Sequence, residues 1–188
     1  MSATSPQRAA LNSLALSRAS MRSTRLVILD CDRTLWDHED VSSMELPFSR
    51  ASRDVLVDAR GDVLRLHEGA REFLELAKAR GVALAVASWN LEEHVLEALR
   101  ALGILELFDV VVAEFHPHKE EMVRRVFSEL RRRGLEVSEG EAAYVDDSRE
   151  AAERVRLAFP KLRVIVYGAD VRDFWELSEA LGLKNCAT

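Results

Sequence analysis

The sequence is poor in several features that mark particular classes of protein. Its 188 residues include only two cysteines, Cys31 and Cys186, which lie far apart in the chain. Two such cysteines do not form a disulfide framework, so we expect a reducing, cytoplasmic compartment. No apolar run is long enough to span a bilayer, and we expect no membrane partner.

Positive charge is also scarce. The chain has 26 basic and 32 acidic residues, which gives a formal net charge of -6. Its one run of three arginines, 131–133, falls at a predicted helix end, where cations favour the helix dipole. No basic block is present to neutralise phosphates, so we expect no nucleic-acid partner.

Acidic residues are missing from the first 24 positions, which are rich in Ser and Ala. This composition overlaps with that of organellar transit peptides, but a disordered tail or a true start at Met21 fits better. The remaining length and the 48% hydrophobic content suit one domain with a sizeable core. We therefore expect a tail over residues 1–23 and a single folded domain over 24–188.

Apolar runs alternate with helical patterns from residue 25 onward, and no internal repeat is visible. The first run is rich in β-branched residues, as expected of a strand buried on both faces. The predicted strands cover about 25–30, 82–87, 110–113, 142–145 and 162–167, and the predicted helices about 68–80, 91–102, 119–133, 148–158 and 171–181. This alternation predicts an α/β, three-layer Rossmann-like fold with a five-stranded parallel sheet.

Between the first strand and the first helix, the sequence predicts a loop over 37–53 and then a β-hairpin of 55–57 with 63–66. The hairpin is small, so we expect a flap rather than a domain. At two later helix starts, Asn90 and Asp147 each precede a Glu by three residues. That is the spacing of a capping box, so both residues are predicted to cap helices.

Polar side chains lie just past the carboxyl ends of four of the predicted strands. They are Asp30 and Asp32, Ser88, Lys119, and Asp146 and Asp147. The carboxyl ends of parallel strands share one edge of a sheet, so these side chains can converge in one crevice. Acids from two strands that share one cation must lie on neighbouring strands. The strand order is therefore expected to be 5-4-1-2-3.

These residue types suit phosphoryl chemistry. Carboxylates from two strands favour a hard cation such as Mg²⁺, and no Cys or His cluster competes for a softer metal. A metal, a lysine and a serine hydroxyl are complementary to a phosphoryl group. Only four of the 26 basic residues are lysines, so Lys119 is expected to be needed as a compact point charge.

The ordered motifs resemble those of the haloacid dehalogenase-like hydrolases. The pattern is hhhhDxDxT, hhhS, Lys and hhhhDD, in that order over about residues 24–182. The stretch Asp30–Trp36, the flap and Ser88 are most similar to the magnesium-dependent acid phosphatase branch. The resemblance implies a Mg²⁺-dependent phosphomonoesterase. It also implies a capless form, because the intervals between the motifs leave room only for the flap and single elements.

The resemblance further implies the roles of the four acids. Asp30 is the nucleophile that forms an aspartyl-phosphate, and Asp32 is the general acid/base. The ligands of Mg²⁺ are Asp30, Asp32 through its backbone carbonyl, and Asp146. Asp147 supports the site.

The same resemblance places Ser88 and Lys119 on the phosphoryl oxygens. Thr34 belongs to this phosphate-binding group and fixes the loop through its hydroxyl. Lys119 also counts among the catalytic residues.

Two positions depart from the branch. Arg33 stands where a Tyr is usual, and Trp89-Asn90 stands where Arg-Thr is favoured. We expect Arg33, Trp89 and Asn90 to border the substrate, with His116 and His118 as further possible contacts. The substrate is accordingly left open between a phosphorylated small molecule and a phosphoprotein, and the oligomeric state is left open as well.

Two alternatives to hydrolysis remain at this point. One is a phosphoryl or phosphoglyceryl transferase of the same superfamily, whose members share the D-x-D-x-T-L-W stretch. The other is a non-hydrolytic phospho-receiver module, which also arranges Asp pairs, Ser or Thr and Lys around an aspartyl-phosphate. Motif order argues against the receiver, because receivers carry the acidic pair at the first strand and here it follows the fourth.

Overall fold

The computed structural model describes residues 23–183, in which strands alternate with helices. The strands are β1 (Leu26–Leu29), β2 (Ser49–Ser52), β3 (Val55–Val57), β4 (Val63–Arg65), β5 (Ala83–Ser88), β6 (Val110–Ala113), β7 (Ala142–Asp146) and β8 (Arg163–Val166). The helices are α1 (Ala70–Ala79), α2 (Glu92–Ala101), α3 (Lys119–Arg132), α4 (Arg149–Ala158) and α5 (Phe174–Ala180). Residues 1–22 of the predicted tail and Cys186 lie outside the described residues.

The main sheet has five parallel strands in the order β6-β5-β1-β7-β8. Its central strand β1 pairs with β5 on one side and β7 on the other, so that Leu29 lies opposite both Val86 and Val145. The predicted order 5-4-1-2-3 is confirmed. From β1 the chain adds strands first on one side, β5 and β6, and then on the other, β7 and β8. The strand order therefore reverses at β1, and ligands of open α/β sheets bind at such a switch point.

Helices cover both faces of this sheet, and β1 is fully buried between them. Val27 and Leu29 belong to a core cluster with residues of α1, α2 and α5. Leu26 and Ile28 point to the other face and pack with residues of α3 and α4. Burial on both faces explains why the strand is apolar at every position rather than at alternate ones. Among the described residues, no helix has both the length and the apolar character needed to cross a membrane.

The flap is larger than the sequence predicts. It is an antiparallel sheet of three strands, β2, β3 and β4, and a 3₁₀ turn at Val41–Ser43 precedes it. The predicted loop over 37–53 is therefore wrong at 41–43 and 49–52. Every residue of β2 is exposed, so the strand forms through backbone pairing with β3. Its sequence therefore lacks the alternation of apolar and polar residues that would predict a strand.

Arg71 of α1 attaches the flap to the main body. Its side chain is buried and donates to the Asp54 carboxylate at 2.6 Å and to the Arg53 carbonyl at 2.6 Å. A third hydrogen bond of 2.7 Å reaches the Leu102 carbonyl at the end of α2. Because Arg53 and Asp54 form the β2–β3 turn, one buried guanidinium links that turn to two helices.

Both predicted helix caps are wrong. The residue that caps α2 is Leu91, which makes no side-chain capping bond, and Asn90 points elsewhere. At α4 the cap is Ser148, whose hydroxyl accepts from the Ala151 amide at 3.2 Å. In both cases the polar side chain that has the capping spacing is used in the cleft at the sheet edge.

Candidate active site

A cleft of about 650 Å³ lies at the carboxyl edge of the sheet. The turns after β1 and β7 and the start of α3 provide most of its polar lining. Among the lining residues are Asp30, Asp32, Asn90, Lys119, Asp146 and Asp147. The structure therefore brings together the acids and the lysine that the sequence places after separate strands.

Lys119 lies at the centre of the site. Its ammonium is hydrogen-bonded to Asp30 Oδ1, donates to the Ala87 carbonyl at 2.8 Å and lies 3.3 Å from Asp146 Oδ2. Lys119 is also the first residue of α3, where the helix dipole disfavours a positive charge. A buried lysine at a helix N-terminus is unfavourable on its own, so the two carboxylates are what stabilise it there.

The charges in this cluster are not balanced. Burial raises the pKa of Asp30 from 3.8 to about 7; Lys119 opposes this rise and Asp146 adds to it. Burial alone disfavours the Lys119 ammonium, but its attraction to Asp30 and Asp146 outweighs this effect and raises its pKa. Asp147 is half-buried, and both burial and the nearby Asp146 raise its pKa. One ammonium is thus surrounded by more carboxylate charge than it can neutralise.

The same acids fit a divalent cation. Oxygen atoms of Asp30, Asp146 and Asp147 lie within 4.8 Å of one another. Carboxylate oxygens are the ligands that Mg²⁺ prefers, and additional positive charge would offset the excess negative charge of the cluster. The carboxylate of Asp32 is not part of this cluster, so any role of Asp32 in metal binding falls to its backbone carbonyl.

Asp146 is held in place by two groups besides Lys119. The Ser148 amide donates to its Oδ1 at 2.8 Å, and the hydroxyl of Tyr144 donates to its Oδ2. Sequence reasoning missed Tyr144. A signal was available, because residues two apart on a strand point to the same face and a buried tyrosine hydroxyl requires a partner.

Asp32 is held by three donors. The Trp36 indole Nε1 donates to Oδ1 at 2.7 Å, the Val41 amide donates to Oδ1 at 3.2 Å, and Asn90 Nδ2 donates to Oδ2 at 2.7 Å. Burial raises the pKa of Asp32, while the bonds from Asn90, Trp36 and Val41 oppose that rise. Sequence reasoning did not identify Trp36 or Val41 as partners of this carboxylate.

Thr34 and Ser88 are fully buried. The Thr34 hydroxyl accepts from the Asp147 amide at 3.0 Å, which ties the turn after β1 to the turn after β7. The Ser88 hydroxyl accepts from Asn90 Nδ2 at 2.9 Å. Neither side chain is among the residues that line the cleft.

Arg33 and Trp89 line the cleft at its exposed rim. Arg33 adopts a left-handed conformation with φ of 56°, and its guanidinium pairs with Glu39 at 2.6 Å. Such a backbone is uncommon outside glycine and clusters at functional sites. Trp89 is half-exposed, so its ring is accessible to a substrate.

The two loop histidines are not among the residues that line the cleft, although Pro117 between them is. His116 bonds Glu114 at 2.7 Å, and His118 lies 3.7 Å from Glu120. Arg154 of α4, which sequence reasoning missed, lines the cleft instead and donates to the Pro117 carbonyl at 2.5 Å. Helix periodicity alone did not single it out among the many arginines.

Comparison with family models gives a match over most of the chain. The model of the family described as Acid Phosphatase matches residues 22–157, which include all the cleft residues discussed above. No curated protein matches this chain.

Comparison with solved structures gives the same fold at low sequence identity. A phosphatase-domain fragment from Bacteroides fragilis, complexed with Mg, is 22% identical with a TM-score of 0.60; the alignment covers 92% of this chain but only 44% of that one. A haloacid dehalogenase-superfamily hydrolase from Ehrlichia chaffeensis is 16% identical with a TM-score of 0.63, covering 86% and 98%. A variant of CbbY from Rhodobacter sphaeroides, complexed with xylulose-(1,5)-bisphosphate, is 20% identical with a TM-score of 0.56, covering 79% and 88%.

Proposed function

This chain belongs to the acid phosphatase family, and we propose that it is a Mg²⁺-dependent phosphomonoesterase that works through an aspartyl-phosphate on Asp30. The observation that carries the proposal is the buried contact of Lys119 with Asp30 and Asp146 at the sheet edge, inside an open cleft. A nucleophilic carboxylate, an ammonium and further acids in one cleft are the parts that phosphoryl transfer needs.

The metal is proposed to be held by Asp30, Asp146 and the Asp32 backbone carbonyl, with Asp147 beside them. When bound, Mg²⁺ neutralises charge on the phosphoryl group and on the acids around it. The close approach of Asp30, Asp146 and Asp147 supports this site, and the Bacteroides fragilis fragment is itself complexed with Mg.

In the first half of the reaction, a carboxylate oxygen of Asp30 forms a bond to phosphorus and the ester P–O bond breaks. Asp32 donates its proton to the leaving oxygen, which departs as an alcohol. Lys119 remains protonated, and it orients Asp30 while offering a hydrogen bond to a phosphoryl oxygen. Ser88 is proposed to bind another phosphoryl oxygen.

In the second half, water attacks phosphorus and the bond between phosphorus and Asp30 breaks. Asp32, now ionised, takes the proton from that water, so both residues return to their starting states. Burial raises the pKa of Asp32, which favours the protonated acid, and the bonds from Asn90, Trp36 and Val41 oppose that rise, which favours the ionised base.

The proposed substrate is a phosphorylated small molecule or a phosphoprotein side chain. Within residues 23–183, the segment between β1 and α1 contains the flap and no cap domain, so the cleft is open to solvent. Trp89 and Arg33 at its rim are the proposed contacts to the leaving group. His116 and His118 are proposed only as contacts to a substrate that extends beyond the cleft.

Metal dependence tests the function. Initial rates of phosphate release from p-nitrophenyl phosphate and glycerol phosphate are expected to vanish after treatment with EDTA and to return on titration with Mg²⁺. Mg²⁺ is also expected to raise the melting temperature of the wild type, because an ion bound only by the native state stabilises it. Asp146→Asn is expected to lose most of that shift. Turnover that survives complete chelation would contradict the proposal.

Lys119→Arg is expected to lower kcat by roughly 10² because a planar guanidinium cannot replace a compact ammonium among Asp30, Asp146 and the Ala87 carbonyl. Steady-state rates measure the loss. The matched control is Lys78→Arg, since Lys78 pairs with Asp109 at 2.9 Å. Asp109 directly precedes β6 and so lies at the amino ends of the strands, opposite the cleft. The control is expected to keep wild-type kcat. Equal rates for both variants would show that any cation suffices at position 119.

A further inference from the structure

The two oxygens of Asp32 are not equivalent. Oδ1 accepts from two donors, Trp36 Nε1 and the Val41 amide, whereas Oδ2 accepts only from Asn90 Nδ2 among the described residues. A carboxylate oxygen has about two acceptor positions, so Oδ1 is saturated. The oxygen left to carry a proton is Oδ2, the one that Asn90 contacts.

Asn90 is itself fixed in orientation. Its Oδ1 accepts from the Ser42 hydroxyl at 2.6 Å and from the Ser42 amide at 3.3 Å. Its Nδ2 donates to Asp32 and also to Ser88 Oγ at 2.9 Å. A backbone amide can only donate, so the Asn90 oxygen must face Ser42 and its nitrogen must face Asp32. The side chain is almost fully buried, which keeps water from replacing these bonds.

One turn of the chain forms hydrogen bonds with both Asp32 and Asn90. The 3₁₀ turn Val41–Ser43 leads into the flap, and the Val41 amide bonds Asp32 while Ser42 bonds Asn90. Ser42 Oγ also accepts from the Leu91 amide at 2.9 Å, which fastens the turn to the start of α2. The 3₁₀ turn that precedes the flap and the turn after β5 therefore hold the Asp32 carboxyl group between them.

From this network we propose that Asn90, oriented by Ser42, is a positioning residue that directs Oδ2 of Asp32 toward the leaving-group oxygen. The inference rests on the proposed function, since it gives Asp32 the role of general acid. Asn90 exchanges no proton, and it acts through Asp32. Its removal lets the carboxyl group turn and weakens proton donation without touching the nucleophile.

The first test compares two serines of the same turn. Ser42→Ala is expected to lower kcat/KM for glycerol phosphate about tenfold but that for p-nitrophenyl phosphate less than about threefold, because nitrophenolate leaves without a proton. The matched control is Ser43→Ala, since Ser43 is exposed and, within residues 23–183, its hydroxyl bonds only the Asp40 carbonyl, at 2.7 Å. The control is expected to leave both values unchanged. Equal losses for the two substrates in Ser42→Ala would overturn the proposal.

The second test is a double-mutant cycle. Asn90→Ala is expected to lower kcat/KM for glycerol phosphate roughly 30-fold in the wild type and by less than about twofold in the Asp32→Asn background, where no general acid remains to be positioned. A loss of the same size in both backgrounds would mean a purely structural role and would overturn the inference. If thermal melts show that Asn90→Ala does not fold, the same double-mutant cycle is measured with Ser42→Ala and Asp32→Asn, and its result tests the proposal.

Failure of this inference is distinguishable from failure of the proposed function. An inactive Asp30→Asn together with a Ser42→Ala loss that ignores the leaving group would reject the positioning role alone. An active Asp30→Asn would reject the aspartyl-phosphate mechanism itself.

Discussion

Phosphomonoesterase activity is expected to disappear in Asp30→Asn, with a loss of at least about 10⁴ in kcat. The amide is a poor nucleophile and a weaker ligand for a hard cation, so one change removes the attacking group and weakens the proposed metal site. The substitution keeps the shape of the side chain, and Lys119 retains Asp146 as a partner at 3.3 Å. The protein is therefore expected to fold.

Phosphate release at saturating Mg²⁺ measures this loss, and thermal melts verify the fold. Asp62→Asn is a suitable control, because Asp62 is an exposed acid of the flap that lies outside the cleft lining. Wild-type rates are expected for the control. Turnover of Asp30→Asn within a few-fold of wild type, in protein whose gene has been re-sequenced, would exclude Asp30 as the nucleophile.

Asp32→Asn is expected to lower kcat/KM for an alkyl phosphate by roughly 10²–10⁴, the usual contribution of a general acid/base. The loss is expected to be much smaller for p-nitrophenyl phosphate, whose leaving group needs little protonation. The three donors to Asp32 can bond an amide oxygen but not an amide NH₂, so the new side chain is held less well.

The same variant is expected to reveal the intermediate. Without a base to activate water, the aspartyl-phosphate forms from p-nitrophenyl phosphate faster than it is hydrolysed. Stopped-flow measurements are then expected to show a burst of nitrophenolate close to one equivalent per enzyme, and intact-mass spectra to show one added phosphoryl group. A steady rate without a burst, together with equal losses for both substrates, would contradict the role of Asp32.

Sequence patterns predicted much of the fold because the local residue pattern of each core element agrees with the structure that the element adopts. An apolar strand followed by an acidic turn is informative by itself, since charged groups at a strand end must leave the buried sheet. The strand order followed from one further condition, that Asp30 and Asp146 share a cation. The pairing of β1 with both β5 and β7 agrees with it.

The flap shows where pattern reasoning stops. Strand β2 has four exposed residues, Ser49–Ser52, so neither its periodicity nor its composition predicts a strand. Its pairing with β3 is local, but the anchoring of the β2–β3 turn depends on Arg71, which lies on a helix 17 residues beyond Asp54. Such contacts become visible only when the chain is folded.

Asn90 is the sharpest example of this limit. Its spacing to Glu93 is that of a capping box, and local hydrogen bonding alone would place it at the start of α2. In the folded protein it bonds Asp32, Ser88 and Ser42 instead. Three partners, two of them from other segments, outweigh one exposed helix cap, because the Asn90 side chain is buried and a buried polar group cannot be left unsatisfied.

The sequence by itself determined the layered α/β fold, the sheet order and the gathering of Asp30, Lys119 and Asp146 at one edge. These follow from burial and from the geometry of parallel strands, which act on every chain of this pattern. The tertiary structure alone decided which oxygen of Asp32 is left to carry a proton and which residues hold the carboxyl group. That outcome depends on distances of a few ångströms between segments far apart in the chain, and local residue preferences do not specify them.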